Sequence, residues 1–164
     1  MDKLIELPYG LEGTIYRSPL PFSPMFDPAQ TVMDAYLRAG VDTVVMLTPE
    51  EEARGLTGRD LRREFCDQGF EVIYAPVMDF SVPEEGVFQT TIPKTLQAAR
   101  GGKTIVIHCH AGIGRTGMFA ACLARVVFDM NGDEAVAWVR EYVPHAVENQ
   151  AQYQFVKSFE MTGD

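Results

Sequence analysis

The sequence predicts an α/β fold: a central, mostly parallel sheet of about four to five strands flanked by helices. Two observations carry this prediction. Three short runs, "VDTVVMLT" (41–48), "FEVIYAPV" (70–77) and "KTIVIHC" (103–109), are rich in β-branched residues and nearly continuous in apolar character, as strands covered on both faces are. Between and after them, apolar residues recur at helical spacing, so strand and helix alternate along the chain.

Each remaining element has its own signal. The Pro-rich stretch "RSPLPFSPMFDP" (17–28) reads as a structured surface loop. Asp27 is placed to cap a helix with Pro28 at its first position, and "AQTVMDAYLRAG" ends on Gly40. Thr48-Pro49 followed by Glu50, Glu51 and Glu52 opens a short helix with a solvated acidic first turn at the positive end of the dipole. "GRDLRREFCDQG" (58–69) is a second amphipathic helix. "GVFQTTIPKTLQAARGG" (86–102) is a third, which Pro93 must start or kink. "TGMFAACLARVVFDMNG" (116–132) is a strongly apolar helix closed by Asn131-Gly132. "DEAVAWVREY" (133–142) and "ENQAQYQFVKSFE" (148–160) complete the set, with Trp138, Tyr142, Tyr153, Phe155 and Phe159 as packing residues.

Length and composition narrow the function. A chain of 164 residues predicts one domain over 1–164. No apolar run has signal-peptide or membrane-spanning length, and the three cysteines, Cys66, Cys109 and Cys122, have no disulfide-framework spacing, so the expected compartment is the reducing cytoplasm. A net charge of −9 repels nucleic acid and anionic membranes. Any phosphate must therefore be gripped by a local site.

The stretch "VIHCHAGIGRTGMFAAC" (106–122) raises three alternatives: a metal site, a tight turn or a phosphate cradle. Its strand ends at His108 or Cys109 and its helix begins near Thr116. Ligands of parallel sheets sit at the carboxyl ends of strands, and helix N-termini bind anions. Gly112, Gly114 and Gly117 let the connection turn tightly with its N–H groups inward. Cys109 and Arg115 then face one cavity. Helix terminus and guanidinium both favour the thiolate, Arg115 offers two parallel donors to phosphate oxygens, and the sulfur is placed to attack phosphorus. The metal reading fails, because adjacent residues of a strand point to opposite faces and His145 is the only further histidine. No metal and no cofactor is expected.

"HCHAGIGRTG" resembles the His-Cys-five-residues-Arg-Ser/Thr signature of cysteine-dependent protein phosphatases. The similarity runs from "YRSPLP" through "MLTPEEEA" and "APVMDFSVP" to "HAVENQAQYQFV", and is greatest to the dual-specificity branch, especially the kinase-associated phosphatase group. The resemblance implies a shallow-pocket, metal-free phosphomonoesterase with a phosphocysteine intermediate. Cys109 would be the nucleophile. Arg115 and the loop residues His110, Ala111, Gly112, Ile113 and Gly114 would bind the phosphoryl group, with His110 at the rim, where its protonation tunes phosphate affinity. Asp79, thirty residues before Cys109 on the loop "VMDFSVPEE", would be general acid and then base; its alternative is a turn aspartate, and Glu84 and Glu85 are understudies. The Thr116 hydroxyl would bond the sulfur, a plain helix N-cap being the other reading. His108 would brace the loop from behind. Arg17 would lie at the rim, touching substrate or forming a salt bridge. Gln152 would orient the hydrolytic water or lie on a helix surface, and Glu148 falls where relatives carry Gln or Glu. Relatives also carry an arginine where this chain has Val143-Pro144-His145. Cys66 and Cys122 are expected in the core, with redox protection of Cys109 as their alternative role.

The signature loop contains no lysine, which with the acidic net charge favours a singly phosphorylated substrate. The expected partners are a phosphorylated protein or small phosphomonoester, with phosphate, sulfate or vanadate as ligands, and neither nucleic acid nor membrane. Low-molecular-weight phosphatases have the reverse order of loop and acid, and sulfurtransferases and arsenate reductases need no Asp79. A phosphatase of a non-protein phosphomonoester and a catalytically weak module that binds phosphorylated partners remain as alternatives.

Overall fold

The computed structural model describes residues 3–161; the single domain expected over 1–164 reaches beyond them at both ends. The strands are β1 (Ile5–Leu7), β2 (Thr14–Ser18), β3 (Thr43–Met46), β4 (Glu71–Tyr74) and β5 (Thr104–His108). The helices are α1 (Val32–Arg38), α2 (Glu50–Thr57), α3 (Leu61–Asp67), α4 (Val87–Arg100), α5 (Gly114–Phe128), α6 (Gly132–Tyr142) and α7 (Gln150–Ser158). The strands form one sheet in the order β1-β2-β5-β3-β4, with β5 at its centre and parallel to both neighbours. Only β1, at an edge, runs antiparallel.

The pleat divides the core. Val45, Ile105 and Ile107 point into a cluster with Phe88, Ile92, Phe119 and Val136 from α4, α5 and α6. Their neighbours Val44, Met46 and Val106 point the other way, against Tyr36 of α1 and Phe65 of α3. Each such side chain contributes about 1.5–3 kcal/mol by leaving water, which is why β3 and β5 take the middle of the sheet. β4, expected to be covered on both faces, lies instead at the other edge, with Glu71 exposed and Val72, Ile73 and Tyr74 half-buried. Trp138, Tyr142, Tyr153 and Phe155 pack against the first cluster, and Phe159 is buried in it. No helix among the described residues is long and apolar enough to cross a membrane.

Several local expectations change. Residues 17–28 are a surface loop only in part: Arg17 and Ser18 end β2, and Leu20, Pro21, Ser23 and Asp27 are buried, while Pro24, Met25 and Pro28 are exposed. Asp27 does not begin a helix at Pro28; α1 starts at Val32, and the Asp27 carboxylate accepts from Phe22 N–H (2.8 Å) and Thr31 N–H (2.9 Å), tying the loop to the helix start. Pro93 lies inside α4, which begins at Val87, so it does not start the helix. Helix α5 closes at Asp129 in the left-handed region (φ 55°), and Asn131 caps the following helix in a reciprocal box with Glu134.

Candidate active site

Cys109 follows directly on the central strand and is 3% exposed. The chain then curls through 110–113 into α5. Gly112 has φ +79°, and a Cβ there would lie 2.5 Å from Ser18 O and 2.8 Å from Arg17 Nη2, so only glycine fits. Its N–H points at Cys109 Sγ, 3.3 Å away. Arg17 explains that orientation. Its guanidinium donates to Ala111 O (Nη2, 3.2 Å) and Gly112 O (Nε, 2.9 Å). In a trans peptide the N–H opposes the C=O, so drawing these carbonyls to Arg17 turns the amides of Gly112 and Ile113 away from it. Arg17, at 6% exposure, therefore clamps the loop in place of touching substrate or pairing with a carboxylate. Gly114 and Gly117 are not turn residues: they lie in helical backbone, where a Cβ would come within 2.6 Å of Glu148 and Ala146 respectively.

A cavity of about 290 Å³ opens over the sulfur. Cys109, His110, Ala111, Gly114 and Arg115 line it from the loop side, Asp79 and Glu148 contribute carboxylates, and Met25, Phe26 and Phe80 form an apolar part of the wall. Glu84 and Glu85 are exposed and do not line it.

Arg115 is 2% exposed, and its donors can be counted. Nη1 donates to Glu52 Oε1 (3.0 Å) and Val77 O (2.8 Å), and Nη2 to Glu52 Oε2 (2.8 Å). Asp79 Oδ1 lies 3.4 Å from Nη2. Of five N–H groups this leaves Nε–H, and the Nη2–H facing Asp79, for an incoming anion. Burial acts to lower the Arg115 pKa, but the hydrogen bond to Glu52 and the charges of Cys109, Glu52 and Asp79 outweigh it and hold the group above its ordinary value. Glu52 is thus not a solvated helix-start glutamate; it fixes the plane of the guanidinium. No local pattern announces this, because the partners are 63 residues apart.

Asp79 is half exposed, and its Oδ1 also accepts from Phe80 N–H (3.0 Å). It combines a local turn role with a place beside Arg115. His108 is fully buried, with Nδ1 3.2 Å from Cys109 O and its ring edge-on to Phe65. Desolvation drives its pKa to about 4, with the Arg115 charge acting the same way and the backbone bond opposing, so it is a neutral brace behind the loop. His110 lines the cavity, with Nε2 3.1 Å from Ser23 Oγ and its ring against Phe26. Burial, then the charge of Arg115, lowers its pKa against the opposing pull of Glu52 and Asp79.

Three expectations fail here, those for Thr116, Gln152 and Cys66, while Cys122 is buried as expected. The Thr116 hydroxyl is buried with no hydrogen-bond partner among the described residues, so it does not bond the sulfur, and the N-cap position belongs to Ile113. Gln152 is neither on a helix surface nor in the cavity. It is fully buried, its Nε2 donating to Ser81 O (3.1 Å) and its Oε1 accepting from Glu148 N–H (2.9 Å). Cys66 is exposed on α3 rather than in the core. Cys122 is buried, which pushes its thiol up, and neither cysteine lines the cavity that holds Cys109. One residue was missed altogether. Asn149 caps α7 through Oδ1 and donates from Nδ2 to Phe80 O (2.8 Å); its sequence signal is only that of a cap. Where relatives carry an arginine, His145 is exposed with φ +69°, and Arg140 binds Ala146 O and Val147 O.

A family model described as "Polymorphic toxin system, DSP-PTPase phosphatase" matches residues 23–127, well over half the chain. The chain belongs to this family. The matched span carries Asp79 and the whole signature loop, and the fold is that of dual-specificity cysteine phosphatases. The mouse protein tyrosine phosphatase domain-containing protein 1 is 28% identical over 137 residues, covering 78% of this chain and 18% of its own length. The chain thus spans less than a fifth of that relative. Kinase associated phosphatase with its catalytic cysteine substituted by serine superposes with a TM-score of 0.84 at 15% identity, covering 93% of this chain and 90% of that one. Tk-PTP in its active form gives a TM-score of 0.72 at 27% identity, covering 88% and 90%.

Proposed function

We propose that this chain, as one catalytic unit, hydrolyses phosphomonoesters of the protein-tyrosine or dual-specificity type through a phosphocysteine. Cys109 Sγ attacks phosphorus, the ester P–O bond breaks, and Asp79 gives its proton to the leaving oxygen. Water then attacks phosphorus while the Asp79 carboxylate takes its proton, the S–P bond breaks with its electron pair left on sulfur, and inorganic phosphate leaves with the thiolate restored. The observation that carries this reading is the convergence of three groups on one cavity: the sulfur facing Gly112 N–H at 3.3 Å, Arg115, and Asp79 at 3.4 Å from that guanidinium. Met25, Phe26 and Phe80 on the wall suit an aryl ester such as phosphotyrosine. The absence of lysine from the loop favours a single phosphate, on a protein or a small ester. Thiolate chemistry requires a reducing compartment, for which we propose the cytoplasm.

The test is hydrolysis of p-nitrophenyl phosphate with EDTA present, with and without vanadate. Turnover resists EDTA, is inhibited by vanadate and is lost in Cys109→Ser, which keeps vanadate binding. Asp79→Asn slows it by about 10²–10⁴-fold. Full activity in Cys109→Ser overturns the mechanism; binding of a phosphopeptide without turnover by the unaltered chain makes it a phospho-binding module instead.

A further inference from the structure

We propose that Asn149 is a positioning residue for Asp79: from the start of α7 it holds the acid-bearing loop shut over the cavity. The inference rests on reading Asp79 as the general acid. The loop 75–86 between β4 and α4 has no regular structure of its own, and Met78, Asp79 and Phe80 are exposed. Ala75, Val77 and Pro83 are buried and anchor the loop on the core, whereas Met78, Asp79 and Phe80 between them have little apolar packing to keep them in place. Besides the backbone bonds from Ala75 N–H to Met46 O and Val77 N–H to Leu47 O, three side-chain hydrogen bonds secure it. Arg115 Nη1 holds Val77 O, Asn149 Nδ2 holds Phe80 O (2.8 Å), and Gln152 Nε2 holds Ser81 O (3.1 Å). Two of the three come from one turn of α7.

The peptide groups around Phe80 show what this clasp controls. Phe80 has φ +59°, a left-handed conformation that bulky L-residues adopt at a cost, and its side chain is 65% exposed, so packing does not offset that cost. Its N–H is bonded to Asp79 Oδ1, the oxygen that faces Arg115, and its C=O to Asn149. The carboxylate and the clasp therefore hold the two ends of one strained residue. If the Phe80 carbonyl is released, the left-handed conformation loses a support and the carboxyl moves with it. Asn149 performs both tasks at once, because Oδ1 caps α7 at Gln152 N–H (2.9 Å) while Nδ2 reaches the loop. Serine keeps the capping oxygen and loses the amide donor, so it separates the two.

The experiment measures kcat/KM of Asn149→Ser, Asp79→Asn and the double variant on p-nitrophenyl phosphate, whose leaving group depends less on the acid, and on phenyl phosphate, whose leaving group depends on it more. The expected result is a loss of roughly two- to tenfold in Asn149→Ser on phenyl phosphate, the range of one hydrogen bond. The loss is smaller on p-nitrophenyl phosphate and vanishes in the Asp79→Asn background. Asn149→Thr, which also keeps a capping oxygen, reproduces the pattern and guards against a folding defect. No loss, or an equal loss on both substrates that persists without Asp79, overturns the clasp while leaving the acid in place. If Asp79→Asn is as fast as the unaltered chain on phenyl phosphate, the reading of Asp79 falls and the clasp falls with it.

Discussion

Glu52→Gln tests how the buried guanidinium is held. Arg115 is 2% exposed and takes both Glu52 oxygens at 2.8 and 3.0 Å, while the Glu52 side chain is 23% exposed. Two unit charges about 4 Å apart attract by about 4 kcal/mol at an effective dielectric near 20, and desolvation of the pair offsets much of that. Removing one member exposes the penalty on the other, typically about 3–5 kcal/mol for a buried pair. Glutamine keeps one acceptor, and Val77 O and Asp79 remain, so about 2–3 kcal/mol is expected. At about 2–4 °C per kcal/mol for a chain of this size, Tm falls by about 4–12 °C. The loosened guanidinium also costs at least about tenfold in kcat/KM, since donors must meet the phosphoryl oxygens in a set plane. Differential scanning calorimetry and steady-state kinetics at pH 7 measure both. A Tm within a degree of the parent's and an unchanged kcat/KM would falsify the claim that Glu52 orients Arg115.

Two further outcomes are expected. Gly112→Ala places a Cβ 2.5 Å from Ser18 O at φ +79°, so the loop must shift; kcat/KM falls by about 100-fold or more while the chain stays folded, and an alanine variant of parental activity contradicts the required approach of loop to β2. His108 titrates at about 4 when folded and near 6.5 when unfolded. Between those values the unfolded chain binds a proton that the folded chain refuses, so stability is full above pH 6.5 and falls by about 3 kcal/mol as pH drops towards 4. Urea unfolding of the parent and His108→Gln from pH 4.5 to 8 reads the difference, and parallel curves would show that His108 makes no such contribution.

The legible parts of this protein are those whose causes are local. β3 and β5 are unbroken β-branched runs because they lie in the middle of the sheet, and Cys109 and Arg115 share one loop whose shape follows from a strand meeting a helix. β1 and β2 were not legible: "IEL" and "TIYRS" are short, and the burial of Arg17 and Ser18 depends on a loop some ninety residues away. The same holds within the site. Asp79 stands out by its motif, whereas Glu52 reads as an ordinary first-turn glutamate, and Asn149 and Gln152 read as a cap and a helix residue until topology brings α2 and α7 to the cavity. The helix ends failed for a related reason. Asp27 and Asn131 are both good capping residues, but the structure uses the first to tie a loop and the second to start the next helix rather than close the last.

Local geometry also resolves the conflict between an acidic protein and the anionic substrate proposed for it. The net charge is −9, and Glu52, Asp79 and Glu148 all stand within reach of a cavity with one arginine. Glu52 is already committed to that arginine, so the charges an incoming dianion meets at the mouth are those of Asp79 and Glu148. Partial burial raises the Glu148 pKa, and the Asp79 charge raises it further against the pull of Arg115. As pH falls, Glu148 therefore becomes neutral earlier than an isolated glutamate, and repulsion at the mouth weakens. The α5 terminus and the Gly112 amide act at van der Waals range, where the field of the whole chain counts for little. On the proposed reading, binding is decided by a few oriented N–H groups rather than by net charge, and it strengthens as Glu148 takes up its proton.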